Sequence, residues 1–298
     1  MRGHLSPQHL GVVSALIANT IWGVAAIYWV ETRPAAAWDV FAHRALWTLP
    51  FMVVILLLLR RGSELLTRLR EPRILAWSAV AALLLSVNWS VFIYAVTSGY
   101  ATEAGLGYFM LPLMSILAAS IFLGERPTPI QTFAIGCAVC AVGVLMVAEQ
   151  ASPWIPLSVS ISFALYGVVR KKTQTGSLDG LYLESLMMAP WALLWIIYRD
   201  GAGIGAFGWR VDLFLLLSGA FTAAPLITYV TAVRVLPLTT LGLFGYIGPT
   251  LQILVAVLYL GEPVTEARVW ALVLVWLGVF AVGIQTILSW RGGKRPRH

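Results

Sequence analysis

Apolar stretches of similar length follow one another along the whole chain, and short polar segments separate them. Each apolar stretch is about 20 residues long, which is the length that an α-helix needs to cross a bilayer. The stretches lack the apolar–polar alternation that marks a membrane-spanning strand. We therefore predict an all-α integral membrane protein with ten transmembrane helices, near residues 10–30, 38–59, 74–97, 102–123, 129–148, 153–170, 180–199, 211–234, 239–260 and 267–289.

One segment of the chain occurs a second time in similar form. The sequence LGYFMLPLMSILAASIFLGE at 106–125 returns as LFGYIGPTLQILVAVLYLGE at 243–262, and eight of the twenty positions are identical. Shared composition alone does not explain a proline and a closing Gly-Glu in the same register, so the pattern indicates an internal duplication. We interpret Glu125 and Glu262, which close the two copies, as helix-end residues with a structural or gating role.

The duplication extends over most of the chain. SALIANTIWG begins at Ser14 and SVSISFALYG begins at Ser158, so spans one to five correspond to spans six to ten. Because five is odd, the second half enters the membrane in the opposite orientation. We predict two inverted five-helix repeats, residues 1–150 and 151–298, the second of which ends in a basic cytoplasmic tail. Inverted repeats are typical of secondary transporters, which bind their solute near the membrane midplane between the halves.

The distribution of lysine and arginine predicts the orientation, since these residues concentrate in cytoplasmic loops. With both termini inside, fifteen of them fall in inner segments, and only Arg33, Arg199, Arg210 and Arg268 fall in outer loops. We therefore expect cytoplasmic termini and a multi-pass protein of the cell inner membrane.

Composition excludes several other classes of protein. Only 11% of the 298 residues are charged, against about 25% in a soluble domain. The net charge of +7 sits in short loops and forms no soluble basic face, which excludes a nucleic-acid partner. Cys137 and Cys140 have metal-like spacing but no second Cys or His pair, so we interpret them as small helix residues. We expect no metal, no cofactor and no enzymatic activity.

Three ionisable residues lie inside predicted spans, where a buried charge is costly and commonly marks function. Arg44 is a candidate for attracting a substrate carboxylate. His43 and Glu184 are candidates for carrying a proton in coupled transport, since each lies about one turn into its span.

Local pairing at the membrane edges is the alternative for these residues. Arg44 could pair with Glu103 or extend to the headgroups, and Glu184 could pair with Arg170 or Lys172. The sequence leaves the two interpretations open.

Five longer motifs resemble the RarD-type branch of the EamA family, in the drug/metabolite transporter superfamily. The motifs are FAHRALWTLP (41–50), VNWSVFIYAVTSGYATEAGLGYFMLP (87–112), SFALYGVVRKK (162–172), GLYLESLMMAP (180–190) and LFGYIGPT (243–250). The resemblance implies ten helices in two inverted halves, cytoplasmic termini, and export or exchange of small metabolites. It also implies a central cavity lined by helices one, three, four, six, eight and nine. Many RarD-like chains have Asn where this chain has Leu111.

Polar and aromatic residues on the implied cavity helices complete the candidate substrate site. Asn88 lies in mid-span, where an amide needs hydrogen-bond partners because lipid offers none. It could bind the solute or hold helices together. With Arg44, the candidate substrate-binding residues are Asn88, Trp89, Tyr108, Tyr166 and Tyr246. Such aromatics suit apolar or aromatic solutes, although an interfacial aromatic belt would use the same residue types.

Pro112 and Pro249 occupy equivalent places in spans four and nine. A proline removes a helix hydrogen bond and kinks or breaks the helix. We therefore predict hinges at both positions.

The prediction that combines these observations is a secondary active transporter of small metabolites, with amino acids or similar amphipathic solutes as the first expectation. A drug or toxic-compound exporter of the same fold is the main alternative, and a polytopic membrane enzyme is a more distant one. The expected partners are a small-molecule substrate and the lipid bilayer, and a homodimer is possible. Substrate, coupling ion and direction stay open at this point.

Overall fold

A computed structural model of the protein describes residues 7–61, 69–124, 126–149, 153–173, 177–235, 244–245 and 247–291. Throughout these residues the regular structure is helical. The helices are α1 (Pro7–Gly23), α2 (Ala25–Val30), α3 (Ala37–Leu58), α4 (Pro72–Ser98), α5 (Ala101–Leu123), α6 (Pro129–Glu149), α7 (Trp154–Thr173), α8 (Ser177–Tyr198), α9 (Trp209–Val235), α10 (Ile247–Leu254) and α11 (Glu266–Arg291), and a π-helical turn (Val255–Tyr259) follows α10.

The helices reproduce the predicted apolar stretches with two differences. The first stretch is divided into α1 and α2, and the ninth contains the short α10 with its π-helical turn. Seven helical segments within the described residues are long and apolar enough to cross a membrane, or eight if the bent α5 counts as one span. The chain is therefore an all-helical membrane protein. The number ten and the division into 5+5 stay predictions.

Helices from the two halves of the sequence pack chiefly against each other. The most extensive contacts join α6 to α11, α5 to α7, α3 to α8, α1 to α9, α3 to α9 and α4 to α7. Each of these pairs takes one helix from either side of residue 150. The buried core of the bundle thus lies between the halves.

Helices α3 and α8 are antiparallel and are joined at both ends by ion pairs. Asp39, near the start of α3, lies 2.7 Å from Arg199, which follows the end of α8. Asp179, near the start of α8, lies 3.0 Å from Arg61, which follows the end of α3. The beginning of each helix therefore lies beside the end of the other.

Glycines allow two of the inter-half contacts to become close. A methyl group on Gly219 of α9 would overlap the backbone of Trp47 in α3. A methyl group on Gly107 of α5 would lie 2.9 Å from the carbonyl oxygen of Pro156 in α7. Small residues that let backbones approach are the usual means of packing helices in membranes.

Ion pairs and hydrogen bonds connect the segments that the sequence assigns to the outer face of the membrane. Arg210 pairs with Glu31 at 2.6 Å, and Arg268 pairs with Glu103 at 2.5 Å. The carboxylate of Glu262 accepts hydrogen bonds from the backbone N–H groups of Ala101 (2.6 Å) and Thr102 (2.8 Å), which begin α5. Glu262 is thus the helix-end residue that the repeat predicted, whereas Glu125 lies outside the described residues.

Candidate functional site

Arg44 is held between the two halves of the bundle by aromatic and polar contacts. Its guanidinium carbon lies 3.9 Å from the ring centroid of Trp89 in α4 and 4.8 Å from that of Trp29 in α2. Its Nε donates a hydrogen bond of 3.1 Å to the hydroxyl of Thr222 in α9. Both indole rings are buried, so the cation is stacked in an apolar environment. Arginine is suited to this, because its flat guanidinium can stack and donate hydrogen bonds at once.

No carboxylate within the described ranges lies at ion-pair distance from Arg44. Glu103, the partner that the sequence suggested, is bound to Arg268 instead. The polar neighbours within electrostatic range of Arg44 are the hydroxyls of Tyr28 and Tyr108. Arg44 is therefore a half-buried cation without a resident counter-ion in the described part of the chain.

Asn88 connects three helices through its amide. Its Nδ2 donates to the carbonyl of Val159 (2.9 Å) and to the hydroxyl of Ser162 (3.3 Å), both in α7. Its Oδ1 accepts a hydrogen bond of 3.0 Å from the hydroxyl of Tyr108 in α5. Asn88 is almost fully buried, and this arrangement matches the predicted alternative in which the amide holds helices together. Its role in substrate binding stays a prediction.

Aromatic rings extend from Tyr108 towards the second half of the chain. The ring of Phe163 lies 6.4 Å from Tyr108 and 5.4 Å from Tyr166, measured between centroids. Tyr166 then donates a hydrogen bond of 3.0 Å to the carboxylate of Glu184. The structure thus brings Tyr108 and Tyr166, two of the candidate substrate residues, into one continuous wall.

Glu184 forms a buried ion pair with Arg170, one of the two partners that the sequence suggested. The Arg170 Nη1 lies 3.4 Å from the Glu184 Oε1, and the Glu184 side chain is fully buried. Gly180 makes room for this pair, because a methyl group there would overlap the Arg170 guanidinium. The predicted proton role of Glu184 is untested by this geometry.

Both ring nitrogens of His43 are occupied. Trp47 Nε1 donates to Nδ1 at 3.2 Å, and Nε2 lies 2.8 Å from the carbonyl oxygen of Ala202. Since an indole nitrogen can only donate, Nδ1 accepts and the proton is on Nε2, as in a neutral ring. This geometry matches local pairing, and the proton role of His43 stays a prediction.

The backbone is bent at one of the two candidate hinges. The axis of α5 bends by 49° where the segment Ala101–Leu111 meets Leu113–Leu123, around Pro112. Pro249 lies in the first turn of α10, where a missing N–H breaks no helical hydrogen bond. Motion at either proline stays a prediction. Tyr246 lies outside the described residues.

A cavity lies elsewhere, at the end of the bundle predicted to face outward. It has a volume of about 680 Å³, and Arg33, Trp38, Ser90, Tyr94 and Trp154 are among its lining residues. Arg44 does not line it. Arg44 and its aromatic and polar contacts therefore belong to the contact between the halves and not to this cavity.

Comparison with known proteins gives the family. The sequence matches the EamA-like transporter family twice, over residues 9–147 and 153–284. The chain belongs to the EamA-like transporter family.

Curated relatives place this EamA-like protein in the RarD-type branch. It is 36% identical to "Protein RarD" of Streptomyces exfoliatus over 97% of this chain and 92% of that protein. It is 31% identical to "Chloramphenicol-sensitive protein RarD" of Pseudomonas aeruginosa over 92% and 93% of the two chains. A solved crystal structure aligns with a TM-score of 0.62 at 17% identity, covering 92% of this chain and 98% of that one, which supports the fold alone.

Two residues that contact Arg44 in this RarD-type protein carry little signal in the sequence. Trp29 lies only one residue before the end of α2, where an aromatic side chain is ordinarily assigned to the interfacial belt. Thr222 lies 178 positions from Arg44, and its only sequence signal is a hydroxyl inside an apolar helix. The family assignment makes the protein a membrane transporter; its solute is a separate question.

Proposed function

We propose that this RarD-type protein is a secondary active transporter that moves small organic solutes across the cell inner membrane by alternating access. In this proposal ten spans form two inverted halves, residues 1–150 and 151–298, with both termini in the cytoplasm. Export is the proposed direction, as the family resemblance implies. The two separate family matches, one in each half, support the division.

The pairing of helices supports a two-fold relation between the halves. In terms of the predicted spans, α1 and α9 are spans one and eight, and α4 and α7 are spans three and six. Exchanging the halves converts the first pair into the second, and both pairs are in extensive contact. The pair α3–α8, spans two and seven, converts into itself and has reciprocal ion pairs at its ends. An inverted repeat accounts for all three relations.

The observation that carries the proposal is the position of Arg44. It contacts Trp89 of the first half and Thr222 of the second, half-buried between them and without a carboxylate partner in the described residues. A charge is retained inside a membrane protein at considerable cost, and such residues mark solute or ion pathways. We therefore place the solute at the contact between the halves, beside Arg44, Trp89 and Tyr108.

Glu184 is the proposed proton carrier. It is a fully buried carboxylate, and Tyr166 and Arg170 hold it in place. His43 is the weaker candidate, since Trp47 and Ala202 already use both of its nitrogens. The proposal also includes a homodimer.

Counterflow in proteoliposomes tests the proposal. Vesicles that contain the purified protein are loaded with an unlabelled amino acid or carboxylic acid and diluted into a trace of the labelled compound. We expect saturable accumulation that Trp89→Ala lowers by about tenfold or more, since the indole covers the cation. Trp270→Ala is the matched control, because Trp270 is 61% exposed on α11 and should leave the flux unchanged.

Absence of saturable flux for every solute, from protein shown to be folded, would contradict a transporter of small organic solutes. Equal loss in both tryptophan variants would contradict the location of the site. A drug exporter is the second candidate, because the aromatic wall from Tyr108 to Tyr166 suits flat apolar molecules. Flux of neutral drugs that carboxylic acids do not inhibit would favour it.

A further inference from the structure

We propose that Arg44 makes this site selective for solutes with one carboxylate and no other charge, held by the in-plane N–H groups of the guanidinium. The inference rests on the proposed transport function and names its solute class. It predicts a monocarboxylate transporter whose affinity depends on a two-point hydrogen bond from Arg44.

The first step concerns which donors of Arg44 are still free to bind a solute. A guanidinium has five N–H donors, all in its plane. The indoles of Trp29 and Trp89 stack on it, and Nε is used by Thr222. The described residues offer no acceptor to the two Nη groups. Their four N–H bonds form a fork that fits the two oxygens of a carboxylate.

The second step concerns the rigidity of that fork. Three different helices, α2, α4 and α9, contribute the groups that contact the Arg44 side chain. A side chain fixed by stacking and by one hydrogen bond loses little further conformational freedom when the solute binds. Arginine is better suited to this than lysine, because its donors have a fixed direction.

The third step concerns charge. Arg170, a half-buried arginine beyond the far end of the aromatic wall, is paired with Glu184. His43 is bonded as a neutral ring. Among the described residues, Arg44 therefore leaves one positive charge without a carboxylate partner, and a single carboxylate on the solute would neutralise it. A dicarboxylate would bring a buried negative charge, and an ammonium group would add a positive one, each of which is costly in an apolar interior.

The fourth step concerns the rest of the solute. Tyr108 lies within electrostatic range of Arg44, and its ring packs against Phe92 at 5.7 Å and Phe163 at 6.4 Å between centroids. An apolar or aromatic body attached to the carboxylate would find an aromatic surface there. Flat aromatic monocarboxylates satisfy both the charge and the surface.

Binding to the whole protein in lipid nanodiscs tests the inference by isothermal titration calorimetry. The probes are 3-phenylpropionate, its uncharged amide 3-phenylpropionamide, and phenylalanine, which adds an ammonium group. We expect 3-phenylpropionate to bind at least about tenfold more tightly than either of the other two, as loss of a charged hydrogen bond implies. In Arg44→Gln the preference for the carboxylate over the amide should disappear. In Arg44→Lys, which keeps the charge without the fork, it should be reduced but present.

The control variant is Arg73→Gln, since Arg73 is exposed at the start of α4. It should retain the full preference. Equal affinity for acid and amide, or a preference that survives in Arg44→Gln, would overturn the inference, as would absence of 3-phenylpropionate binding to folded protein. If carboxylate selectivity failed in this way, saturable counterflow of a neutral or zwitterionic solute would still support the proposed transport function. Failure of the selectivity and failure of the transport proposal can therefore be told apart.

Discussion

The hydroxyl of Tyr108 donates a hydrogen bond of 3.0 Å to the amide oxygen of Asn88, and the Asn88 nitrogen in turn binds α7. Tyr108 is thereby fixed at one end of the aromatic wall that continues through Phe163 to Tyr166. Asn88 thus acts on the site by positioning a neighbour, whether or not it also contacts the solute.

Replacement of Asn88 should therefore lower the stability of the protein. Asn88→Ala removes three hydrogen bonds in a buried position, and we expect a loss of about 1–3 kcal/mol in unfolding free energy. Differential scanning fluorimetry in detergent measures it as a lower melting temperature. Tyr108→Phe should cost less, since it removes one bond. Tyr94→Phe is the control because Tyr94 is exposed on the same helix as Asn88, and an equal loss of stability there would contradict a specific contribution of the Asn88 hydrogen bonds.

Glu184 should be required for transport driven by a proton gradient. Glu184→Gln keeps the shape of the side chain and its contact with Tyr166 but removes the exchangeable charge. We expect gradient-driven accumulation to fall to the level of counterflow alone, while counterflow itself continues. Glu31→Gln, which removes a partly exposed carboxylate paired with Arg210, should leave both activities unchanged. Retained gradient-driven accumulation in Glu184→Gln would exclude Glu184 as the proton carrier.

A larger residue at Gly180 should displace the Arg170 guanidinium. The methyl group of Gly180→Ala would occupy the space of the Arg170 guanidinium and displace it from Glu184. Disruption of a buried ion pair costs about 3–5 kcal/mol, an upper limit here because a flexible side chain can move. Thermal unfolding should show a clear loss of stability. Gly167→Ala, on α7 where a methyl group meets no neighbouring atom within 4 Å, should be neutral or slightly stabilising.

The capping carboxylate of Glu262 should stabilise the start of α5. It accepts from the N–H groups of Ala101 and Thr102 and from the Thr102 hydroxyl at 2.6 Å. Glu262→Ala leaves these donors without the carboxylate, and loss of a helix cap costs about 0.5–2 kcal/mol. Thr102→Val should cost less, and the two changes should be less than additive in a double-mutant cycle. Glu266→Ala, an exposed carboxylate at the start of α11, serves as control.

The sequence predicted the helices well because membrane spans are defined by length and composition. The repeat predicted that Glu262 would lie at a helix end, and the ion-pair alternative for Glu184 named the correct partner, Arg170. These successes share a cause: each rests on residues that are close in sequence or placed by a known span length.

The partners of Arg44 were harder to predict for a physical reason. In a membrane helix the side that faces lipid and the side that faces the bundle are both apolar, so periodicity does not tell which side is buried. Trp89 and Thr222 approach Arg44 only through the packing of α4 and α9 around α3. Glu103 was a plausible partner for Arg44 from its predicted depth in the membrane. The packing of α11 instead brings Arg268 to Glu103, and these two residues form an ion pair.

The two ion pairs between α3 and α8 have a consequence for the energetics of the whole cycle. At each end of this helix pair, one aspartate and one arginine form an ion pair. A protein that opens first at one end and then at the other gives up the same kind of contact each time. In the proposed cycle, opening at either end would therefore break one aspartate–arginine pair, and the number of ion pairs lost favours neither open form. The solute and ion gradients across the membrane would then decide the direction of net transport.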